Sequence, residues 1–165
     1  MTASVHVRNR QRTAPIQARY LREIARAVLE RTAPERPGSL GIYLVGRPEI
    51  VRLNETFLGH AGPTDVIAFD YREHSRKRTT RHALYAEVFI CVEEAMSQAR
   101  RYRAPWPEEV VRCMIHGVLH LTGHDDAQPS QRRKMKRVEN RLVREMRKRF
   151  GWKRTALRFT TVPLR

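Results

Sequence analysis

The residues best suited to chemistry lie at 116–126, HGVLHLTGHDD. His116 and His120 are four apart within residues 107–121, an apolar stretch with helical spacing. On a helix that spacing puts both imidazoles on one face, one turn apart, where they can share a metal ion. Gly123 can take the left-handed conformation that ends a helix and turns the chain back. His124, Asp125 and Asp126 are then candidates for a third donor. Two helical nitrogens, one returning donor and one open position are the layout of a catalytic zinc site. The plain alternative is a pair of core histidines with satisfied hydrogen bonds. The glycine break and the His/Asp cluster behind it favour the metal.

Neighbouring residues narrow the chemistry. Cys113 lies one turn before His116, but seven positions separate it from His120, roughly 10 Å along a helix axis. Three successive turns cannot converge on one ion, so Cys113 reads as packing. Gly117 stands where HExxH metalloproteases carry their catalytic glutamate, which argues against that class. The general base is therefore open, with Asp125 and Glu87 the nearest acidic candidates.

Around this site the chain reads as an α+β domain, a small mixed sheet packed with several helices. The metal motif lies on a central helix and the loop after it. Helices are expected over 17–31, 48–58, 93–102, 107–121 and 130–150, with Ser130 as a cap. Strands are expected over 40–45, 65–71 and 84–92, the last one central. Residues 59–63 form a turn, and 73–82 a polar, basic loop. One domain is expected over 1–150, followed by a tail at 151–165 in which only 157–162 has strand-like pattern.

Composition sets the class. Of the 165 residues, 41% are hydrophobic, enough for a globular core. No apolar run approaches the roughly 18 residues of a membrane helix, and MTASVHVRNRQR has no apolar segment of signal-peptide length. A cytoplasmic protein without a membrane partner or an organic cofactor is the expectation. Cys91 and Cys113 are too few for a disulfide framework.

The net charge of +16 is unevenly spread. Residues 127–165 hold 14 basic and 2 acidic side chains, residues 1–36 hold 8 and 3, and residues 37–126 are almost neutral with 11 and 12. Such a field attracts polyanions, RNA or DNA above all. The basic helix carries Arg132, Arg133, Lys134, Lys136, Arg137, Arg141 and Arg144, suited to a phosphate backbone. Few aromatics interrupt these charges, so base stacking is not expected there.

The motif resembles the signature of the YbeY family, H-G-x-L-H-L-x-G-x-D-H. Residues 54–69, NETFLGHAGPTDVIAF, resemble that family's N-x-x-Y-R-G-x-x-x-P-T-D-V-L-S-F segment, and AEVFI at 86–90 resembles its G-D-I-V-I strand. The likeness spans about residues 40–138. It implies an α+β fold holding one Zn²⁺ with three ligands. The implied activity is single-strand endoribonuclease in ribosomal RNA maturation, notably at the 3′ end of the small-subunit RNA, and in ribosome quality control. Ribosomal RNA and the small subunit would be the partners.

Three departures from the family pattern bear on the site. Asp126 replaces the last motif histidine. A carboxylate is a legitimate zinc ligand, so the resemblance assigns the metal to His116, His120 and Asp126, with His124 the rival third ligand. Leu58 replaces an arginine that the family uses on RNA phosphate, with Arg52, Arg72 and Arg103 as possible substitutes. Ala68 replaces a serine. Thr64 and Asp65 match the family's T-D and are expected to shape the cleft, and Glu87 to orient a ligand ring. Two further readings stand beside the nuclease. One is a non-catalytic ribosome assembly factor with a structural zinc, which Leu58 favours. The other is a zinc hydrolase of a small substrate, which requires a closed apolar pocket.

Overall fold

The computed structural model describes residues 2–72 and 82–152. Most of the expected loop at 73–82 and strand-like segment at 157–162 lie outside the described residues. The architecture is the expected α+β, a four-stranded mixed sheet with helices on it. In chain order the elements are β1 (Ser4–Asn9), α1 (Ala18–Thr32), β2 (Gly38–Val45), α2 (Arg47–Leu53), β3 (Val66–Asp70), β4 (Leu84–Cys91), α3 (Val92–Tyr102), α4 (Trp106–Leu121) and α5 (Pro129–Phe150). The strand order is β1-β2-β4-β3, parallel across the first two pairings and antiparallel between β3 and β4. β4 is central, as its apolar sequence requires.

Three local differences from the sequence reading have physical causes. β1 was not anticipated; only Val5 and Val7 mark its period-two pattern, and parallel pairing with β2 supplies the rest. The segment expected as one helix over 48–58 is α2 followed by a wider turn over Asn54–Leu58, closed by Gly59 at φ +66°. Asn54 is buried there and donates from Nδ2 to the Gly62 carbonyl at 2.9 Å, tying down the loop that leads to β3. At α5, Gln128 precedes the helix and Pro129 opens it, so Ser130 lies inside the first turn rather than at the cap.

The sheet has unlike faces. Leu40, Ile42, Leu44, Leu84, Ala86, Val88 and Ile90 point into the main core, formed with α1, α4 and α5. On the opposite face a smaller cluster of Val45, Ile50, Ile67, Phe89 and Cys91 seats α2. α4 rides close to the sheet at Gly117, where a Cβ would lie 2.8 Å from Val88 Cγ1 and 3.3 Å from Val66 Cγ2. The residue that excludes a metalloprotease glutamate thus faces the strands. α5 is basic outside, but Met135, Leu142, Val143 and Met146 bury its inner stripe. Trp152 continues that packing beyond the helix and donates its indole N–H to Glu108 Oε2 at 2.7 Å.

Candidate metal centre

The end of α4 builds the site. Gly123 has φ +101°, its N–H donates to the His120 carbonyl at 3.2 Å, and the His124 N–H donates to the Leu119 carbonyl at 3.0 Å. This is the two-bond helix stop that a left-handed glycine permits. A further cap comes from Arg72, which donates to the Leu121 carbonyl at 3.1 Å while paired with Asp70. The returning loop is set by Asp125, whose Oδ1 accepts the N–H groups of Asp126 at 2.7 Å and Ala127 at 3.1 Å. Arg132 at the start of α5 donates to the Asp126 carbonyl at 3.1 Å.

The result brings His116, His120 and Asp126 together as a three-donor group. The two histidine Nε2 atoms are 3.1 Å apart, and each lies 3.7 Å from an Asp126 carboxylate oxygen. Donors about 2.1 Å from a tetrahedral zinc stand roughly 3.4 Å from one another. The spacing therefore fits one ion. Two ring nitrogens at 3.1 Å also require a proton or a cation between their lone pairs, and a metal ion meets that need at all three donors at once.

The group that orients His116 is Glu139, which the sequence reading missed. This carboxylate is 3% exposed on the inner stripe of α5, and its Oε2 is 3.0 Å from His116 Nδ1. Lys136 Nζ and Arg112 Nη1 also donate to it, at 2.7 and 2.9 Å. Burial pushes the Glu139 pKa up, but hydrogen bonds from His116, Lys136 and Arg112 outweigh it and hold the carboxyl at about 2. An ionised carboxylate can only accept, so Nδ1 of His116 carries the proton and Nε2 keeps a lone pair for a metal. The same hydrogen bond raises the His116 pKa against the opposing effect of burial. A signal was available: Glu139 continues the buried spacing of Met135, Leu142 and Met146.

Other expected residues fall elsewhere. Glu87 does not join the cluster. Alternation along β4 puts it on the face opposite Ala86 and Val88, where it accepts from the Tyr43 and Tyr71 hydroxyls at 3.0 and 2.7 Å. The Glu87 role of orienting a ligand ring is therefore corrected to Glu139. His124 belongs to the helix stop and lies outside the three-donor group; its Nδ1 is buried without a hydrogen-bond partner. Cys113 is buried, with Sγ 3.8 Å from Asp65 Oδ2. Burial, reinforced by Asp65, pushes its thiol well above the usual range, which fits packing rather than metal binding.

Beside the donors runs an open cleft of about 410 Å³ between β3 and α4. Thr64, Asp65 and Ala68 line it with His116 and His120. Asp65 is pinned by the Val66 N–H at 2.9 Å and by Gln98 Nε2 at 2.9 Å. Leu58 also lines the cleft, and no Lys or Arg does so among the described residues. The seven basic residues named on α5 are all exposed. Lys136 is shared with Glu139, and Arg133, Arg137, Arg141 and Arg144 recur along one side of the helix.

The family model described as Endoribonuclease YbeY matches residues 6–147. This chain belongs to the YbeY family. Endoribonuclease YbeY of Chlorobium phaeovibrioides is 33% identical over 144 residues, covering 87% of this chain and 90% of that protein. The Bacteroides fragilis relative is 33% identical over 112 residues, covering 68% and 76%. A solution structure of a Thermotoga maritima protein shares the fold, with a TM-score of 0.62 at 19% identity over 97% of this chain and 99% of that one. The match to the YbeY model extends beyond the likeness at 40–138, taking in most of β1, all of α1 and most of α5. No helix among the described residues is long and apolar enough to cross a membrane.

Proposed function

We propose that this protein is a zinc-dependent, single-strand-specific endoribonuclease that acts in ribosomal RNA maturation, at the 3′ end of the small-subunit RNA, and in ribosome quality control. The observation that carries the reading is the spacing of His116, His120 and Asp126 beside an open cleft. When bound, zinc supplies Lewis-acid activation of a phosphoryl oxygen or of water. His116 and His120 would hold it from α4 and Asp126 from the returning loop. Glu139 keeps the His116 ring in the tautomer that offers Nε2, and Asp125 holds the loop of Asp126 through two backbone N–H groups. Family members named endoribonucleases supply the RNA substrate class.

Arg133, Lys134, Arg137, Arg141 and Arg144, with Arg132 and Lys136, provide sequence-independent hold on the phosphate backbone. Binding of single-stranded RNA should fall steeply with salt. Each residue whose removal releases one phosphate lowers the slope of log K against log salt by about 0.7. Arg137→Ala, followed by fluorescence anisotropy at several salt concentrations, measures that increment.

One observation supports a second reading, a ribosome assembly factor in which the zinc is structural. Leu58 lines the cleft at the position where the resembled family pattern has arginine, and the described residues lining that cleft include no cation to replace it. Incubation of the zinc-loaded chain with a single-stranded fragment of ribosomal RNA, beside His120→Ala and Asp126→Ala, separates the two. Cleavage by the parent alone supports the nuclease. Zinc binding with no cleavage above that of the variants supports the assembly factor.

A further inference from the structure

Among the described residues, the sheet face away from the metal cluster is only half covered. α2 seats there through Ile50, on Val45, Ile67, Phe89 and Cys91. The remaining half holds a cleft of about 320 Å³ bordered by His6, Arg8, Tyr43, Tyr71, Tyr85 and Glu87. Tyr71 and Tyr85 are 44% and 43% exposed, a large aromatic surface for a sheet to leave in water. Gly41 opens the space beside Glu87. A Cβ there would lie 3.0 Å from a Tyr43 ring carbon and 3.3 Å from Glu87 Cγ.

Glu87 is an unusual carboxylate for so basic a protein. Its partners are phenols, Tyr43 at Oε1 and Tyr71 at Oε2, and among the described residues no Lys or Arg pairs with it. Each carboxylate oxygen has two acceptor sites, so one on each remains after the phenol bonds. Burial, reinforced by Glu87, pushes the Tyr71 pKa to about 12 and raises that of Tyr43, so both phenols stay donors. The cleft thus offers two adjacent acceptors between exposed aromatic rings, with His6 and Arg8 at its rim.

That combination matches one RNA base. Single-stranded RNA is read by stacking unpaired bases on aromatic rings and bonding their Watson–Crick edges. Guanine alone among the four bases carries two adjacent N–H donors on that edge, N1–H and the 2-amino group. We propose that the open half of the sheet is a guanine-nucleotide subsite, in which Glu87 accepts from the base, Tyr71 and Tyr85 flank it, and His6 and Arg8 attract its phosphate. A cationic protein side chain could also sit among tyrosines and a carboxylate. Arg8 at the rim and the +16 charge of the chain disfavour it. The proposal takes its substrate class from the nuclease reading, but the subsite is separate from the metal cluster and can be tested without cleavage.

The test is calorimetric titration of the full chain with the 5′-monophosphates of guanosine, inosine and adenosine, none of which has a phosphodiester to cut. Inosine keeps N1–H and lacks the 2-amino group. The guanosine nucleotide should bind roughly tenfold tighter than the other two. Glu87→Gln should erase the preference, and Tyr85→Ala should weaken all three by roughly tenfold. The Tyr85 substitution, on an exposed ring, keeps the test available should Glu87→Gln fail to fold. Equal affinities for the three nucleotides, or no binding, would overturn the subsite. So would binding lost in His120→Ala but kept in Glu87→Gln and Tyr85→Ala, because it places the nucleotide at the metal cluster. Capture of arginine amide in place of nucleotide would assign the face to a cationic partner and likewise end the proposal. A failed RNA cleavage assay with guanosine selectivity intact would sink the nuclease reading alone.

Discussion

A carboxylate stands on each side of the sheet, Glu139 in the helices that cover one face and Glu87 on the other face itself, and the two are in opposite electrostatic situations. Behind the helix-covered face, Glu139 is 3% exposed and ringed by Arg112, Lys136 and His116. On the open face, Glu87 is half-buried and, among the described residues, meets only the hydroxyls of Tyr43 and Tyr71. Converging cations make Glu139 a fixed anion that sets the orientation of a histidine. Neutral donors leave Glu87 with acceptor capacity facing solvent. The comparison shows that the role of an acid follows from what packs around it, even within one sheet and its cover.

The largest effects are expected at the three clustered donors. His120→Ala and Asp126→Ala each remove one of three donors and should leave no stoichiometric zinc after dialysis, as read by elemental analysis. A variant that kept its zinc would show that the ion sits elsewhere.

Glu139→Gln tests the orienting anion itself. Loss of such an outer partner should weaken zinc affinity by 10- to 100-fold, measured by competition with a chelator. The metal-free protein offers a pH test as well. The Glu139 carboxyl is held at about 2, below its ordinary value near 4.5. A depressed folded-state pKa contributes stability that is present above pH 4.5 and lost as pH falls toward 2. That contribution is on the order of 3 kcal/mol. Urea midpoints should show a steeper acid decline in the parent than in Glu139→Gln. Parallel curves would mean that the cations around Glu139 do not hold it ionised.

Gly117 sets how closely α4 packs on the sheet beneath the donors. Alanine favours helix by about 1 kcal/mol over glycine. Its Cβ would still press on Val88 and Val66 and shift α4 off the sheet. Gly117→Ala should therefore destabilise by about 1–3 kcal/mol and loosen the metal group, read by thermal unfolding with and without zinc. A gain in stability would show that α4 can lift freely. The smallest effect is expected on the open face. Tyr43→Phe removes one donor to Glu87 and should cost about 0.5–1 kcal/mol with zinc content unchanged.

Much of this protein was legible in order along the chain. His116 and His120 share a face because helical period alone dictates it, and Gly123 ends α4 because a glycine is the residue that accepts φ +101°. The apolar run of β4 announced a central strand. β1 was not legible: Val5 and Val7 are too short a pattern, and pairing with β2, more than 30 residues away, is what makes it a strand. The helix expected over 48–58 is present, but its last turn, Asn54–Leu58, is wider than a regular helix, and the Asn54 side chain ties it to the Gly62 carbonyl. Local propensity could not report β1, since it depends on a contact distant in sequence.

The site divides in the same way. Residue types and spacing by themselves determined the donor pair, the turn behind it, the basic C-terminal helix and the family. The family resemblance put Asp126 ahead of His124 as the third donor, but only the tertiary structure brings its carboxylate to the histidines, through a returning loop held by Asp125 and Arg132. It also decided which acid supports the site. Glu87 and Glu139 were equally available in sequence. Strand alternation turned the first away from α4, and the packing of α5 on α4 delivered the second to His116, 23 residues distant along the chain.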